Sequence, residues 1–370
     1  MNNRQNRHQG IGAAVDLGST TIAVDLMDLN AREKILSFSF PNPQFCYGAD
    51  IITRIRHCIE DSEKLATMGR MVRESLWRKL EEHLGQDFKR IEKIVYSGNT
   101  TMLHILRGMS VDGLAVAPFH PVSIEYAEIE EVQPIWHTAI YPPGFSAFVG
   151  ADILTGAEYL SMGKYASYDL LVDLGTNGEL LLLNKDCGYA ASAACGTVFD
   201  HAVSGASYGS ECIKAIAGCV KRKLIDENGT LKEPFFEKGI EIDKGFVIKQ
   251  DHIRNFQLAK GAIYAGIISL MKKAGITKEA IGNVYISGGL GFFMDIRDAI
   301  TVKMIPKDLA EKITVVGNSS LLGAKELLLT KDEDKSLILS EYEAIRKRTE
   351  SFEFANFEDF QEIFLSSLNF

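Results

Sequence analysis

Apolar and polar positions alternate in two short runs that resemble each other. The first, AVDLGSTTIAVDLMD, spans 14–28 and the second, LVDLGTNGELLLLN, spans 171–184. Each predicts a strand, a tight turn after Asp-Leu-Gly, and a second strand. Two further pairs follow in the same order. VYSGNTT (95–101) is answered by VYISGGL (284–290), a strand running through Ser-Gly into a helix start. VGADILTGAEYL (149–160) parallels VGNSSLLGAKEL (316–327) at Val, Gly, Leu, Gly, Ala and Leu, which predicts two helices with small residues on one face. Small residues at such spacing let helices cross closely, as a hinge between two lobes requires.

One Asp-Leu-Gly turn is weak evidence, since any buried strand can end in a glycine turn. Three pairs in the same order indicate an internal duplication. Between the strands, 49–85 and 257–276 carry apolar residues at helical spacing and stop near Gly85 and Gly275, so helices should cover the sheets. The expected division is a first α/β lobe over 11–158 and a second over 159–330. An insertion at about 185–256, marked by Pro234-Phe235-Phe236, Gly239 and Gly245, lengthens the second lobe. The final segment, 331–370, opens with KDEDKS and closes with EFANFEDFQEIFLSSLNF, too aromatic to stay in water, so it should pack on a lobe.

The paired turns suit a nucleoside triphosphate. Glycine after the strand admits close approach, and backbone N–H and hydroxyl groups gather around an anion. Gly18, Ser19, Thr20 and Thr21 are the first phosphate turn, and Gly175, Thr176 and Asn177 the second. Asp16 and Asp173 are expected to face each other across a nucleotide cleft between the lobes. Both would stand near phosphate charge, which implies a bridging hard cation, magnesium, with either aspartate as ligand. Asp173 is favoured to polarise the attacking water or acceptor. Gly288 and Gly289 should approach adenosine or the α-phosphate, with Gly317 closing the same side. Asn99 and Thr100 admit two readings equally, phosphate contact or capping of the helix that follows.

Composition narrows the partners. With 370 residues and a net charge of −9, the chain has neither the basic face that nucleic acid or an anionic membrane requires nor a dominant acidic tail. The first ten residues are polar and no stretch is apolar for long enough to span a bilayer, so a cytoplasmic protein is expected. Six cysteines (46, 58, 187, 195, 212 and 219) form no CxxC pair and read as reduced packing thiols.

With SGNTTM, AVAPFHPVSIEY, PPGFSAFVGADILTGA, VDLGTNGEL, QLAKGAIYAGI, ISGGLG and FEDFQEIFLSSLNF, the chain resembles the ATPase portion of the reductive activators of corrinoid-dependent enzymes. The likeness extends from residue 11 to the end and lies within the acetate and sugar kinase, Hsp70 and actin superfamily. It implies an actin-like ATPase, ribonuclease H-like duplicated α/β fold. It also implies ATP-driven reduction of a strayed Co(II) corrinoid protein, within a methyltransferase system, to Co(I), and a homodimer. Members usually carry an iron–sulfur domain ahead of the ATPase part. The residues before Gly10 offer nothing to hold a cluster, so no intrinsic cluster is expected here, and the electron should come from a separate low-potential donor. Where relatives have Gly-Pro-Ala-Phe-Glu-Gly this chain has SAACGTVFDHAVSG, so no role is carried onto Asp200 or His201. Cys195 falls where a neighbouring family, the activators of hydroxyacyl-CoA dehydratases, shares a cluster between subunits, but one thiol per chain is too few for four thiolates unless Cys212 or Cys219 joins it. Two other functions remain open: a small-molecule kinase with Asp173 as base, and a non-redox ATP switch that binds partners through the insertion and tail.

Overall fold

The computed structural model describes residues 10–175, 177–193, 195, 209–242 and 246–370. The chain forms two compact units, each with its own core. One holds the residues up to Ser161 together with Ser319–Lys347, and the other Met162–Asn318 with Arg348–Phe370.

The first unit is built on a six-stranded sheet. β1 (Ile11–Leu17), β2 (Thr21–Asp28) and β3 (Glu33–Pro41) form an antiparallel meander. On its other side β1 runs parallel to β4 (Ile91–Gly98), and β4 parallel to β6 (His137–Tyr141), with β5 (Ala127–Glu131) antiparallel at the edge. β1 sorts its side chains with a period of two. Ile11, Ala13, Val15 and Leu17 enter a core with Ile55, Met68, Val72, Leu76 and Met102 from the helices Ile51–Glu60, Ser62–Leu84 and Thr100–Arg107. Each large aliphatic chain buried there contributes about 1.5–3 kcal/mol. Gly12 and Asp16 point the other way, to Leu328 and Ser320 of the helix Ser319–Leu329.

That helix and Ala151–Tyr159 are the matched small-residue pair, and both lie in the first unit, packed on each other. A Cβ on Gly156 would stand 2.6 Å from Ser319 Oγ, and one on Gly323 would run into Thr155 O. The small faces thus permit the close crossing read from the sequence. The segment 319–330, set with the second half by that reading, belongs to the first unit. Beyond it, Lys335–Lys347 stays on the same unit through Lys335–Glu128 and Arg346–Glu125 ion pairs at 3.0 and 2.7 Å and a fully buried Tyr342.

The second unit repeats the plan. β7 (Tyr168–Leu174), β8 (Gly178–Leu183) and β9 (Gly188–Ala193) form the meander. A hairpin of β10 (Ile240–Ile242) and β11 (Phe246–Ile248) lies in the inserted region, followed by the long helix Gln250–Lys273. β12 (Ile281–Ser287) then runs parallel to β7, and β13 (Ile313–Gly317) parallel to β12. The order β9-β8-β7-β12-β13 reproduces β3-β2-β1-β4-β6, so the duplication is one of topology as well as motif. β14 (Thr349–Ser351) extends the sheet at β9.

The aromatic tail packs on this second core. Phe354 stacks on Phe360 at 4.9 Å, and the helix Phe360–Ser366 lies along Gln250–Lys273. Lys260, fully buried, donates to Ser367 O at 2.6 Å and Asn369 O at 2.5 Å. Burial, with Lys303 nearby, pushes that amine down to about 7. Among the described residues no helix is long and apolar enough to cross a membrane.

Candidate functional site

In the first unit Asp16 sits one residue before the end of β1, opposite Ala23 of β2 and Ser97 of β4. Its Oδ1 accepts a 2.8 Å hydrogen bond from Ser320 Oγ, a group donated to ionised carboxylate and worth about 1.5–3 kcal/mol. Gly18 opens the turn, where a Cβ would lie 2.6 Å from Thr21 O and prevent its closure. Ser19 is buried, Thr20 half-buried and Thr21 exposed. The turn is held from β3's end by Asn42, which is 1% exposed. Its Nδ2 donates to Gly18 O at 2.9 Å and its backbone N–H to Thr20 O at 2.8 Å. Beneath Asn42 lie Gln44 and the fully buried Arg54, whose Nη1 reaches Gln44 Oε1 and Met102 Sδ.

In the second unit Asp173 holds the equivalent place on β7, opposite Glu179 of β8 and Ser287 of β12. Here the serine bonds the aspartate directly: Ser287 Oγ is 2.7 Å from Asp173 Oδ2 and 3.1 Å from Gly317 O. Gly288 follows at φ +86°, and a Cβ on it would strike Leu174 O at 2.5 Å and Asp173 Oδ1 at 2.7 Å. Glycine is therefore what allows β12 to end beside this carboxylate. Gly289 is exposed with open space around it, and Gly317 adopts φ +75° at the end of β13. Gly175 N–H donates to Asn177 O at 3.1 Å across the turn, whose Thr176 lies outside the described residues. A pocket of about 420 Å³ in this unit is lined by Lys214, Gly218, Lys221, Asp295, Arg297 and Asp298.

Asn99 caps the helix Thr100–Arg107, accepting from Met102 N–H at 3.0 Å, and Thr100 Oγ1 donates to Ser146 O at 2.5 Å. Asn99 thus displays the capping geometry, while the Thr100 hydroxyl is turned to Ser146 O. Glu179 and Asn42 were not singled out from sequence. Glu179 was hidden in an apolar run, although antiparallel pairing of two strands joined by a tight turn sets it opposite Asp173. Asp200 and His201 lie outside the described residues.

Cys58, Cys195, Cys212 and Cys219 are buried packing groups, Cys187 is half-buried and Cys46 is exposed. Burial, helped by Glu179, pushes the Cys195 thiol up to about 12, and burial does the same to Cys212. Among the described residues no three His, Cys, Asp or Glu side chains group to hold a metal. Asp16 with the hydroxyls of Ser19, Thr20 and Thr21 in the first unit, and Asp173 in the second, supply oxygen donors instead. That all-oxygen set fits magnesium, which takes one or two carboxylates and completes its shell with water and phosphate.

Two family models match the chain: the RACo middle region over residues 11–165, and the C-terminal domain of RACo, the ASKHA domain, over 203–370. The corrinoid activation enzyme RamQ of Eubacterium limosum is 28% identical over 390 aligned positions, covering 87% of this chain and 65% of RamQ. A [Co(II) methylated amine-specific corrinoid protein] reductase of Methanosarcina barkeri is 24% identical, covering 97% of this chain and 77% of the reductase. The solved structure of a reductive activator for corrinoid,iron-sulfur protein superposes with a TM-score of 0.85 at 26% identity, covering 99% of this chain and 67% of that one. This chain thus spans about two thirds of the length of RamQ.

Proposed function

The chain belongs to the family described by the RACo middle region and its C-terminal ASKHA domain, and from that premise we propose that it is an ATPase that assists reductive activation of a corrinoid protein. One electron from a low-potential donor takes Co(II) to Co(I), while ATP and water become ADP and phosphate and supply the driving force. The cytoplasm is the setting proposed. The observation that carries the reading is one arrangement built twice: aspartate near the end of a central strand, a glycine turn after it, and a serine in register on the parallel neighbour.

In this reading Gly18, Ser19, Thr20 and Thr21 take phosphate oxygens on one turn and Gly175, Thr176 and Asn177 on the other. Magnesium, held by Asp16 or Asp173, would offset phosphate charge. Asp173 orients the attacking water. Gly288 and Gly289 leave room for adenosine, and the pocket lined by Lys214, Lys221 and Arg297 lies in the same unit.

The test combines the purified chain with a Co(II) corrinoid protein and a low-potential donor, and follows the visible spectrum with and without magnesium ATP. Co(I) is expected only with ATP and an intact Asp173, so Asp173→Ala should abolish it. Unchanged cobalt with continued ATP consumption would remove the corrinoid role, leaving the kinase and the switch to be separated by adding metabolites.

A further inference from the structure

A row of buried hydroxyls leads away from Asp16. Ser320 Oγ stands 2.8 Å from Asp16 Oδ1 and 3.0 Å from Ser97 Oγ, Ser97 Oγ is 3.0 Å from Thr155 Oγ1, and Thr155 Oγ1 is 3.2 Å from Asp152 O. Ser97 and Thr155 are fully buried and Ser320 is 3% exposed. Each hydroxyl has one hydrogen to give. An ionised Asp16 only accepts, so Ser320 gives its hydrogen there, Ser97 gives to Ser320, and Thr155 gives to Ser97. The same distances accommodate the opposite order, in which Ser320 gives to Ser97 and Thr155 to Asp152 O. Rotation of the hydroxyls exchanges the two orders without any proton transfer. A hydrogen-bonded row of this kind is cooperative, so what happens at its charged end orients the rest.

The row ends on two particular helices. Ala151–Tyr159 is the last element before the chain leaves the first unit at Ser161, and Ser320 is the second residue after it returns at Ser319. The hydroxyl is not part of the repeated helix pattern, since the position matched to Ser320 in the first half is Ile153. We propose that Ser320 is a positioning residue that relays the state of the first phosphate turn, through Asp16, Ser97 and Thr155, to the helices Ser319–Leu329 and Ala151–Tyr159. The proposal rests on the nucleotide reading. Under it, a cation or phosphate engaging Asp16 weakens the carboxylate's hold on Ser320, and the row turns over.

Hydrogen exchange of the whole chain, with and without magnesium ATP, tests this. In the unaltered protein the nucleotide should slow exchange of the 17–21 turn and, by about tenfold, of 151–159 and 319–329. In Ser320→Ala, and in Ser320→Cys, which keeps the size but is a weak donor, the turn should still be protected while the two helices lose their response. Ser320→Thr should restore it. Calorimetry on the same variants should show nucleotide affinity falling by roughly three- to tenfold, a change of about 1 kcal/mol. Protection of both helices that survives in Ala and Cys variants overturns the relay while leaving nucleotide binding intact. A wild-type turn that gains no protection and an absent binding heat overturn the nucleotide reading, and the relay with it.

Discussion

The two glycine turns share a backbone plan and differ in what stands around the aspartate. Asp16 faces Ala23 across its hairpin and takes its hydroxyl from Ser320, whereas Asp173 faces Glu179 and takes its hydroxyl from Ser287 on the adjacent strand. The first site is a carboxylate wired to helices, and the second is a pair of acids with a local serine. Duplication therefore preserved the strand and glycine turn while the two copies diverged in the side chains around the aspartate. Under the proposed function, the second turn is the one assigned to water activation and the first the one assigned to sensing what is bound.

That division can be broken experimentally. The largest effect is expected for Asp173→Asn, which should slow single-turnover ATP hydrolysis by about 10²–10⁴-fold with little loss of ATP binding. Asp16→Asn should instead weaken binding more than it slows chemistry. Equal loss of rate in both variants would sink the distinction. Glu179→Gln removes the second acid and should reduce hydrolysis by about tenfold, placing it between the aspartates and unaltered protein. If it matches the wild type, Glu179 is only a buried neighbour.

Asn42→Ala sharpens the comparison from the other side, since it strips the first turn of its support on Gly18 O. Leaving that carbonyl unsatisfied should cost about 1–3 kcal/mol and lower the melting temperature of the unit by about 2–4 °C for each kcal/mol lost. ATP binding should weaken with hydrolysis per bound ATP nearly unchanged, which calorimetry and single-turnover rates would resolve.

The smallest effect concerns pH and is confined to the first unit. His104 is buried, its Nδ1 lies 2.7 Å from Thr100 O, and its Nε2 accepts from Val122 N–H at 3.1 Å, pinning the 116–126 loop. Burial lowers its pKa below the ordinary 6.5, outweighing the Thr100 carbonyl that favours the charged ring. The unfolded chain then binds the proton more readily, so the stability is fully present above about pH 6.5 and is lost as pH falls through the lower folded value. Protection of 116–126, taken relative to the intrinsic amide exchange rate at each pH, should fall as the solution is acidified, and His104→Gln should flatten that dependence. A loop equally protected at pH 5 and 7.5 would remove His104 as its pin.

The central strands, their turns and the duplication were legible in the sequence because each is a local pattern: alternation, glycine, and a repeat in order. Gly288 beside Asp173 could be read for the same reason, since Ser-Gly-Gly at a strand end announces an uncommon backbone. Asn42, Ser320 and Glu179 could not be read in that way. Asn42 acts on a turn 24 residues earlier, and Ser320 on an aspartate 304 positions away. Neither has a local signal, because its partner is set by topology. The placing of 319–347 with the first unit was hidden likewise, since a repeat in sequence says which helices match and not which sheet they cover.

That last feature bears on how the chain is made. The helix Ser319–Leu329 covers the face of β1 carrying Gly12 and Asp16, yet it leaves the ribosome some three hundred residues after β1. A nascent chain must hold the first sheet half-clothed while the larger part of the second unit, 162–318, is translated. Expression fragments that stop at residue 318 would contain every strand of the first sheet and expose its glycine-rich face to water. A divided expression system should therefore pair the 1–161 fragment with one that includes 319–347, because the first unit is assembled from both.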